Sequence, residues 1–233
     1  MFGDFDSMTD KQKQILVSKN LNEPKSQNKV AIDLGSGSGF QSIALRSLGY
    51  IVHAVDFSRE LLDELQQRDS SVIIREGDLL DLTFVEELHL SPELIVCMGD
   101  TLTHLGSKDD VILLLETVFR LLSPQQGSFL ITYRDLSGAR NDLDRFIPVK
   151  SDDTRILTCF LEEDEENNDK VKVFDLLYEK HAISHQWELK KSCYKKLKLS
   201  VCWLQQEMQR LGYVVEIISR LPSGMEVVIG KCI

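Results

Sequence analysis

A short apolar run, Val30-Ala31-Ile32, reaches Asp33-Leu34 and then Gly35-Ser36-Gly37-Ser38-Gly39, with glycine at every second position. A run of this length bounded by glycines reads as a buried strand. Beyond it Phe40, Ile43, Ala44 and Leu48 fall at helical spacing, and Gly49 supplies the stop. The glycines therefore form a strand-to-helix turn. At such a turn the backbone approaches a ligand with no Cβ between them, and the first N–H groups of the helix point outward. The dinucleotide fingerprint needs its third glycine one place later than Gly39, where Phe40 stands. The carboxylate of Asp33, ahead of the first glycine, disfavours a pyrophosphate and suits a ligand that carries an ammonium.

The stretch Asp33-Leu34-Gly35-Ser36-Gly37-Ser38-Gly39 resembles motif I of class I S-adenosylmethionine-dependent methyltransferases. The resemblance implies that Asp33, Gly35, Gly37 and Gly39 hold S-adenosylmethionine. The next strand, Tyr50–Asp56, again ends in an acid, one strand–helix–strand unit further on. A carboxylate at that strand end accepts both hydroxyls of a ribose, and Phe57 follows it to lie on the adenine face. His53, within the strand, reads as structural. Ser58 is placed to cap a helix with Leu61, Leu62 and Leu65 on its apolar face. A third strand, Val72–Arg75, runs into Glu76-Gly77-Asp78-Leu79, which resembles the adenine-binding motif of the same superfamily. The resemblance gives Asp78 the adenine amino group and the Leu79 backbone N–H a ring nitrogen.

A fourth strand, Leu94–Met98, leads into Gly99-Asp100-Thr101-Leu102-Thr103-His104-Leu105. This segment stands where motif IV does and looks like the corresponding loop of glycine N-methyltransferase-like small-molecule enzymes. The resemblance places Met98 beside the methionine portion of the cofactor, with His104 and Asp100 near the methyl as catalytic candidates. A general base is needed only when the acceptor arrives protonated. Ser107 caps a long helix carrying Asp109 and Asp110 in its first turn. After the loop from Pro124 to Gly127, strand five is Ser128–Tyr133, followed by Arg134-Asp135.

Between Arg140 and Leu199 the pattern changes. Arg155–Leu161, Val171–Leu177 and His185–Leu199 favour strands and have acidic loops between them, which predicts two to three antiparallel strands inserted after strand five. Such insertions cap the substrate pocket in many small-molecule methyltransferases. Tyr133, Arg134 and Tyr194 are the substrate-binding candidates, with Arg140, Arg145, Arg155 and Lys195 beside them. Inward-facing cations would select an anionic or zwitterionic substrate. A helix capped by Ser200 follows, then strands over Val214–Ser219 and Glu226–Cys232.

Repeated strand–helix units with near-apolar strands imply a parallel sheet covered on both faces, with ligands beyond the carboxyl ends of its strands. The expected fold is a three-layer α/β sandwich. Its seven-stranded, mostly parallel sheet has the last strand antiparallel, as the resemblance predicts, and the antiparallel β cap is inserted after strand five. Residues 1–28 form an N-terminal segment or lid, 29–139 with 200–233 the core, and 140–199 the cap. Within the first segment an amphipathic stretch runs from Thr9 to Leu21, and Phe2 or Phe5 is the aromatic expected to close over the cofactor.

The formal net charge of −10 disfavours non-specific nucleic-acid binding. No apolar run is long enough for a bilayer, and the acidic start, Met1-Phe2-Gly3-Asp4, does not read as a signal peptide. The five cysteines have no C-x-x-C pair and read as reduced thiols of a cytoplasmic protein. His181 and His185 sit in strand-like sequence, lack a third ligand and make no metal site. The reading is a methyltransferase of a small-molecule substrate, monomeric or homodimeric, without nucleic-acid or membrane partners. Two alternatives stand beside it: a non-catalytic S-adenosylmethionine-binding or regulatory protein, and an NAD-dependent oxidoreductase.

Overall fold

The computed structural model describes residues 4–122, 127–218 and 220–232. Its chain runs α1 (Phe5–Ser18), β1 (Val30–Leu34), α2 (Phe40–Ser47), β2 (Ile51–Asp56), α3 (Arg59–Arg68), β3 (Ile73–Glu76), α4 (Thr83–Glu87) and β4 (Leu94–Cys97). A 3-10 turn at Thr101–His104 precedes α5 (Lys108–Leu121) and β5 (Ser128–Tyr133). Four strands follow: β6 (Phe146–Ser151), β7 (Arg155–Glu163), β8 (Lys170–Lys180) and β9 (Trp187–Leu197). The chain then returns through α6 (Val201–Arg210), β10 (Val214–Ile218) and β11 (Glu226–Lys231).

The main sheet has seven strands in the order β10-β11-β5-β4-β1-β2-β3. The pairs among β1 to β5 are parallel, and β11 runs antiparallel to both β5 and β10. Every residue of β1, β4 and β5 is buried. That pattern follows from helices on both faces, which leave a parallel strand no solvent side. On one face Leu16 of α1, Ala44 and Leu45 of α2 and Leu65 of α3 pack against the sheet. On the other, Phe84 and Val85 of α4, Val111 to Val118 of α5 and Leu204 and Met208 of α6 do so. Ser58, Ser107 and Ser200 each cap a helix through a side-chain oxygen, as their positions predict. Pro124 to Gln126, Phe2 and Ser219 lie outside the described residues.

The inserted segment forms a separate antiparallel sheet of four strands, β6-β7-β8-β9, where two to three are expected from the sequence. The additional strand is β6, whose pairing with β7 shifts register between Pro148 and Lys150. That irregularity hides its period-2 pattern from a reading of the residues alone. The helix α1 starts at Phe5 rather than Thr9, because Asp4 accepts from the Asp6 N–H and caps it four residues earlier. His181 and His185 lie in the turn between β8 and β9, where the His185 N–H donates to the His181 carbonyl.

Candidate active site

The site grows from the turn that follows β1. Gly35, Gly37 and Gly39 all have φ in the left-handed region. A Cβ on Gly35 would stand 2.2 Å from Thr101 Cγ2, and one on Gly39 would stand 2.2 Å from Leu65 Cδ1. These two glycines are therefore fixed by packing as well as by backbone, whereas Gly37 faces open space.

Asp56 ties three turns together. Its Oδ2 accepts from the Gly37 N–H at 2.8 Å, its Oδ1 accepts from the Ser58 N–H at 2.9 Å, and its carbonyl accepts from the Gly77 N–H at 3.0 Å. The N–H groups of Gly35 and Ser36 donate to the Val55 carbonyl. The ends of β1, β2 and β3 are thus joined by hydrogen bonds, and the Asp56 carboxylate meets the glycine turn at Gly37.

Two cavities open from this rim. The first, about 700 Å³, is lined by Gly35, Asp56, Phe57, Asp78, Leu79, Thr101, His104 and Asp110, among others. It carries three carboxylates and no lysine or arginine. Phe57 is 84% exposed, an aromatic ring offered to the cavity rather than to the core. The second, about 580 Å³, lies between α1 and the opposite side of the glycine turn. Lys11, Ser36, Gln41, Met98, Thr132, Arg134 and Met225 are among its lining residues; it holds two cations and no carboxylate. Gly35 and Thr101 line both. In a chain of net charge −10, a cavity lined by cations without a carboxylate stands against the overall charge.

The remaining candidates occupy other positions. Asp33 lines neither cavity. It is buried beneath the turn, where its Oδ2 accepts from Ser42 Oγ at 2.6 Å and its Oδ1 has no partner. Burial, chiefly, and the neighbouring Asp56 charge push its carboxyl up to about 7. Asp100 also lies outside both linings. It is buried, with φ 78°, and its Oδ1 accepts from the Arg134 N–H at 2.9 Å while its Oδ2 pairs with Lys196 Nζ at 2.5 Å. Tyr133 is fully buried in the core with its hydroxyl unpartnered, and Arg134 next to it lines the second cavity. Tyr194, on β9, stacks on His104 with ring centroids 5.4 Å apart. That packing and the nearby Lys196 ammonium hold the His104 imidazole below its ordinary value.

The other basic candidates of the cap are engaged locally. Arg140 donates to the carbonyls of Leu136 and Gly138, Arg145 lies over the Phe160 ring, Arg155 pairs with Glu179 and Lys195 with Asp164. The side chains that the sequence reading missed are Lys11, Thr101 and Lys196. Only Lys196 left a signal, since on a strand it shares a face with Tyr194, two residues away.

A seven-stranded sheet with one reversed strand, a glycine turn after β1 and an acid at the end of β2 define the class I S-adenosylmethionine-dependent methyltransferase fold. Residues 31–125 match the family described as a methyltransferase domain. Among curated relatives, the cypemycin N-terminal methyltransferase of Streptomyces sp is 35% identical over 104 residues, 44% of this chain and 41% of that protein. The chain spans about two fifths of the length of the curated relatives it matches. Among solved structures, the CcbJ methyltransferase of Streptomyces caelestis superposes with a TM-score of 0.73 at 19% identity, covering 95% of this chain and 89% of that one. The amino pentose methyltransferase CalS10 of Micromonospora echinaspora, solved with S-adenosylmethionine bound, gives 0.71 at 11% identity over 100% and 93% of the two chains. Likeness at these identities is likeness of fold.

Proposed function

We propose that this protein transfers a methyl group from S-adenosylmethionine to a small-molecule acceptor that is anionic or zwitterionic. The observation that carries the reading is the pair of oppositely charged cavities meeting at Gly35 and Thr101. Both volumes are those of small-molecule sites. The cofactor fits the residues present. Asp56 keeps unused lone pairs at the first cavity for ribose hydroxyls, Phe57 offers an adenine face, and Asp78 with the Leu79 backbone takes the base edge. Ser36 Oγ, buried without a partner in the lining of the second cavity, is a polar atom that a ligand would satisfy. Lys11 and Arg134 supply the positive charge for carboxylates, that of the cofactor and that of the acceptor.

When bound, the cofactor would supply an electrophilic methyl on a sulfonium, a leaving group that needs no protonation. The residues of this chain then align the acceptor and exclude water. Among the described residues, His104 is the one imidazole in either lining, and it takes the proton when the acceptor brings one. Asp100, with both oxygens engaged, positions the Thr101–His104 turn instead. The reading of 140–199 as a substrate cap rests on the contact between Tyr194 of the cap sheet and His104 in the turn after β4.

The test is calorimetry with S-adenosylhomocysteine, for which micromolar binding of about −7 to −8 kcal/mol is expected, followed by a metabolite screen with labelled methyl donor. Absence of binding overturns the reading. Binding without turnover on any small acid or amino acid moves it to a non-catalytic sensor.

A further inference from the structure

The cap sheet and the wall of the first cavity meet at a cluster of charges centred on Lys196. Its side chain is 12% exposed, and its Nζ lies 2.5 Å from Asp100 Oδ2 and 5.6 Å from the Tyr194 ring centroid. Tyr194 in turn stacks on His104. Asp100 begins the Thr101–His104 turn in a left-handed conformation that non-glycine residues rarely adopt, and such geometry persists only where neighbours over-determine it. Here they do: Thr103 Oγ1 stands 3.0 Å from Asp100 Oδ1, the Arg134 N–H donates to that same oxygen, and the Asp100 N–H donates to the Thr132 carbonyl. Of these partners only Lys196 comes from the cap. A buried carboxylate of this kind is left without compensation when its cation is removed. The turn it starts carries Thr101, which lines both cavities, and His104, which lines the first.

We propose that Lys196 is a positioning residue that, from the cap sheet, fixes the Thr101–His104 turn through Asp100 and holds its ammonium beside the stacked Tyr194 and His104 rings. The inference rests on the methyltransferase reading above for its catalytic meaning, but the coupling itself belongs to the ligand-free chain. His104 is faced by Lys196 and Tyr194 of β9, Asp175 of β8 and Asp100 at the head of its own turn, with Asp56, Asp78 and Asp110 across the cavity. The carboxylates favour the imidazolium. Burial and the Lys196 ammonium oppose it, and the ammonium is the one cation among these groups.

The experiment is an NMR titration of the histidines in the full ligand-free chain, with the His104 signal assigned from His104→Asn. In the wild type His104 titrates below the ordinary histidine range. Lys196→Met raises its midpoint by about one pH unit, and Lys196→Arg restores it. Asp100→Asn, which leaves the ammonium without its counter-charge, moves the midpoint further down. Opposite movements in these two variants are what a merely structural role would not produce. A wild-type midpoint at or above the ordinary value overturns the proposal. So does a folded Lys196→Met protein whose His104 titrates as in the wild type, and if that variant does not fold, an unchanged or raised midpoint in Asp100→Asn does the same. With S-adenosylmethionine as methyl donor, Lys196→Met moves the acid limb of the kcat profile up by the same interval, and it leaves the S-adenosylhomocysteine Kd within about threefold. Failure of S-adenosylhomocysteine to bind the wild type sinks the functional reading alone. Binding together with an unmoved His104 sinks the positioning role alone.

Discussion

Asp56 has two functions, and both belong to one carboxylate. It braces the glycine turn through Gly37 and Ser58, and it presents its remaining lone pairs to the first cavity. Asp56→Ala is expected to weaken S-adenosylhomocysteine binding by about 1–3 kcal/mol, the range for hydrogen bonds to a charged group. Calorimetry reads it, and an unchanged affinity means that no ribose lies there. Asp33 gives a pH signature of opposite origin. Its carboxyl, raised to about 7 by burial, holds a proton in the folded chain that the unfolded chain releases near its ordinary value of 3.8. The folded state therefore binds more protons between these values, and the stability contribution of Asp33 is complete below about 4 and lost as the pH rises to about 7. Urea midpoints of the wild type are expected to fall across that interval more steeply than those of Asp33→Asn, and to run parallel to them above it. The sequence marks Asp33 as part of the site because of its place before Gly35. It does not disclose that Ser42, nine positions on, turns the carboxyl inward, since that contact depends on how α2 packs over β1.

At the level of elements, most of the core was readable, because buried parallel strands are near-continuous apolar runs and capped helices announce their starts. Strands β1 to β5 and helices α2, α3, α5 and α6 lie where the residues predict, within a residue or two. What escaped reading depends on irregular or alternating structure. The register shift in β6 concealed that strand, and the cap of α1 stands upstream of its apolar stretch. On β9 the neighbours Tyr194 and Lys195 were candidates together, yet successive strand residues face opposite ways. Tyr194 meets His104, Lys195 turns to Asp164, and the cation on the side of the site is Lys196. The helix α1 is the element most open to experiment. Phe5 packs on Phe40 at 4.6 Å and lies under the Arg68 guanidinium at 4.0 Å, while Met8, Lys11, Gln12 and Ile15 line the second cavity. Phe5→Ala is expected to fray the first turns of α1 and speed tryptic cleavage at Lys11 and Lys13. Saturating S-adenosylhomocysteine is expected to slow that cleavage, as binding to one local state requires. Gel-resolved proteolysis measures both rates.

For the molecule as a whole, charge is distributed against composition. An acidic protein places three carboxylates in the lining of one cavity and two cations in that of the other. A ligand with hydroxyls at one end and a carboxylate at the other matches that polarity, and a dinucleotide with a central pyrophosphate does not. S-adenosylhomocysteine at a hundred times its Kd is expected to stabilise the fold by about 2.7 kcal/mol. For a chain of this size that is a rise of roughly 5–10 °C in Tm, and NAD at the same concentration should give none. Differential scanning calorimetry compares the two directly.

The contact between Gly35 and Thr101 has one further consequence. Because a side chain at position 35 and the methyl of Thr101 would compete for the same space, any residue larger than glycine there displaces Thr101, which lines both chambers. The second cavity is then open to change at its outer rim, in the hairpin residues Leu221, Ser223 and Met225. The first is open to change at Phe57 and Leu79 on the far side. A library spread over those two groups, with the partition left intact, should yield variants in which the two cavities change independently.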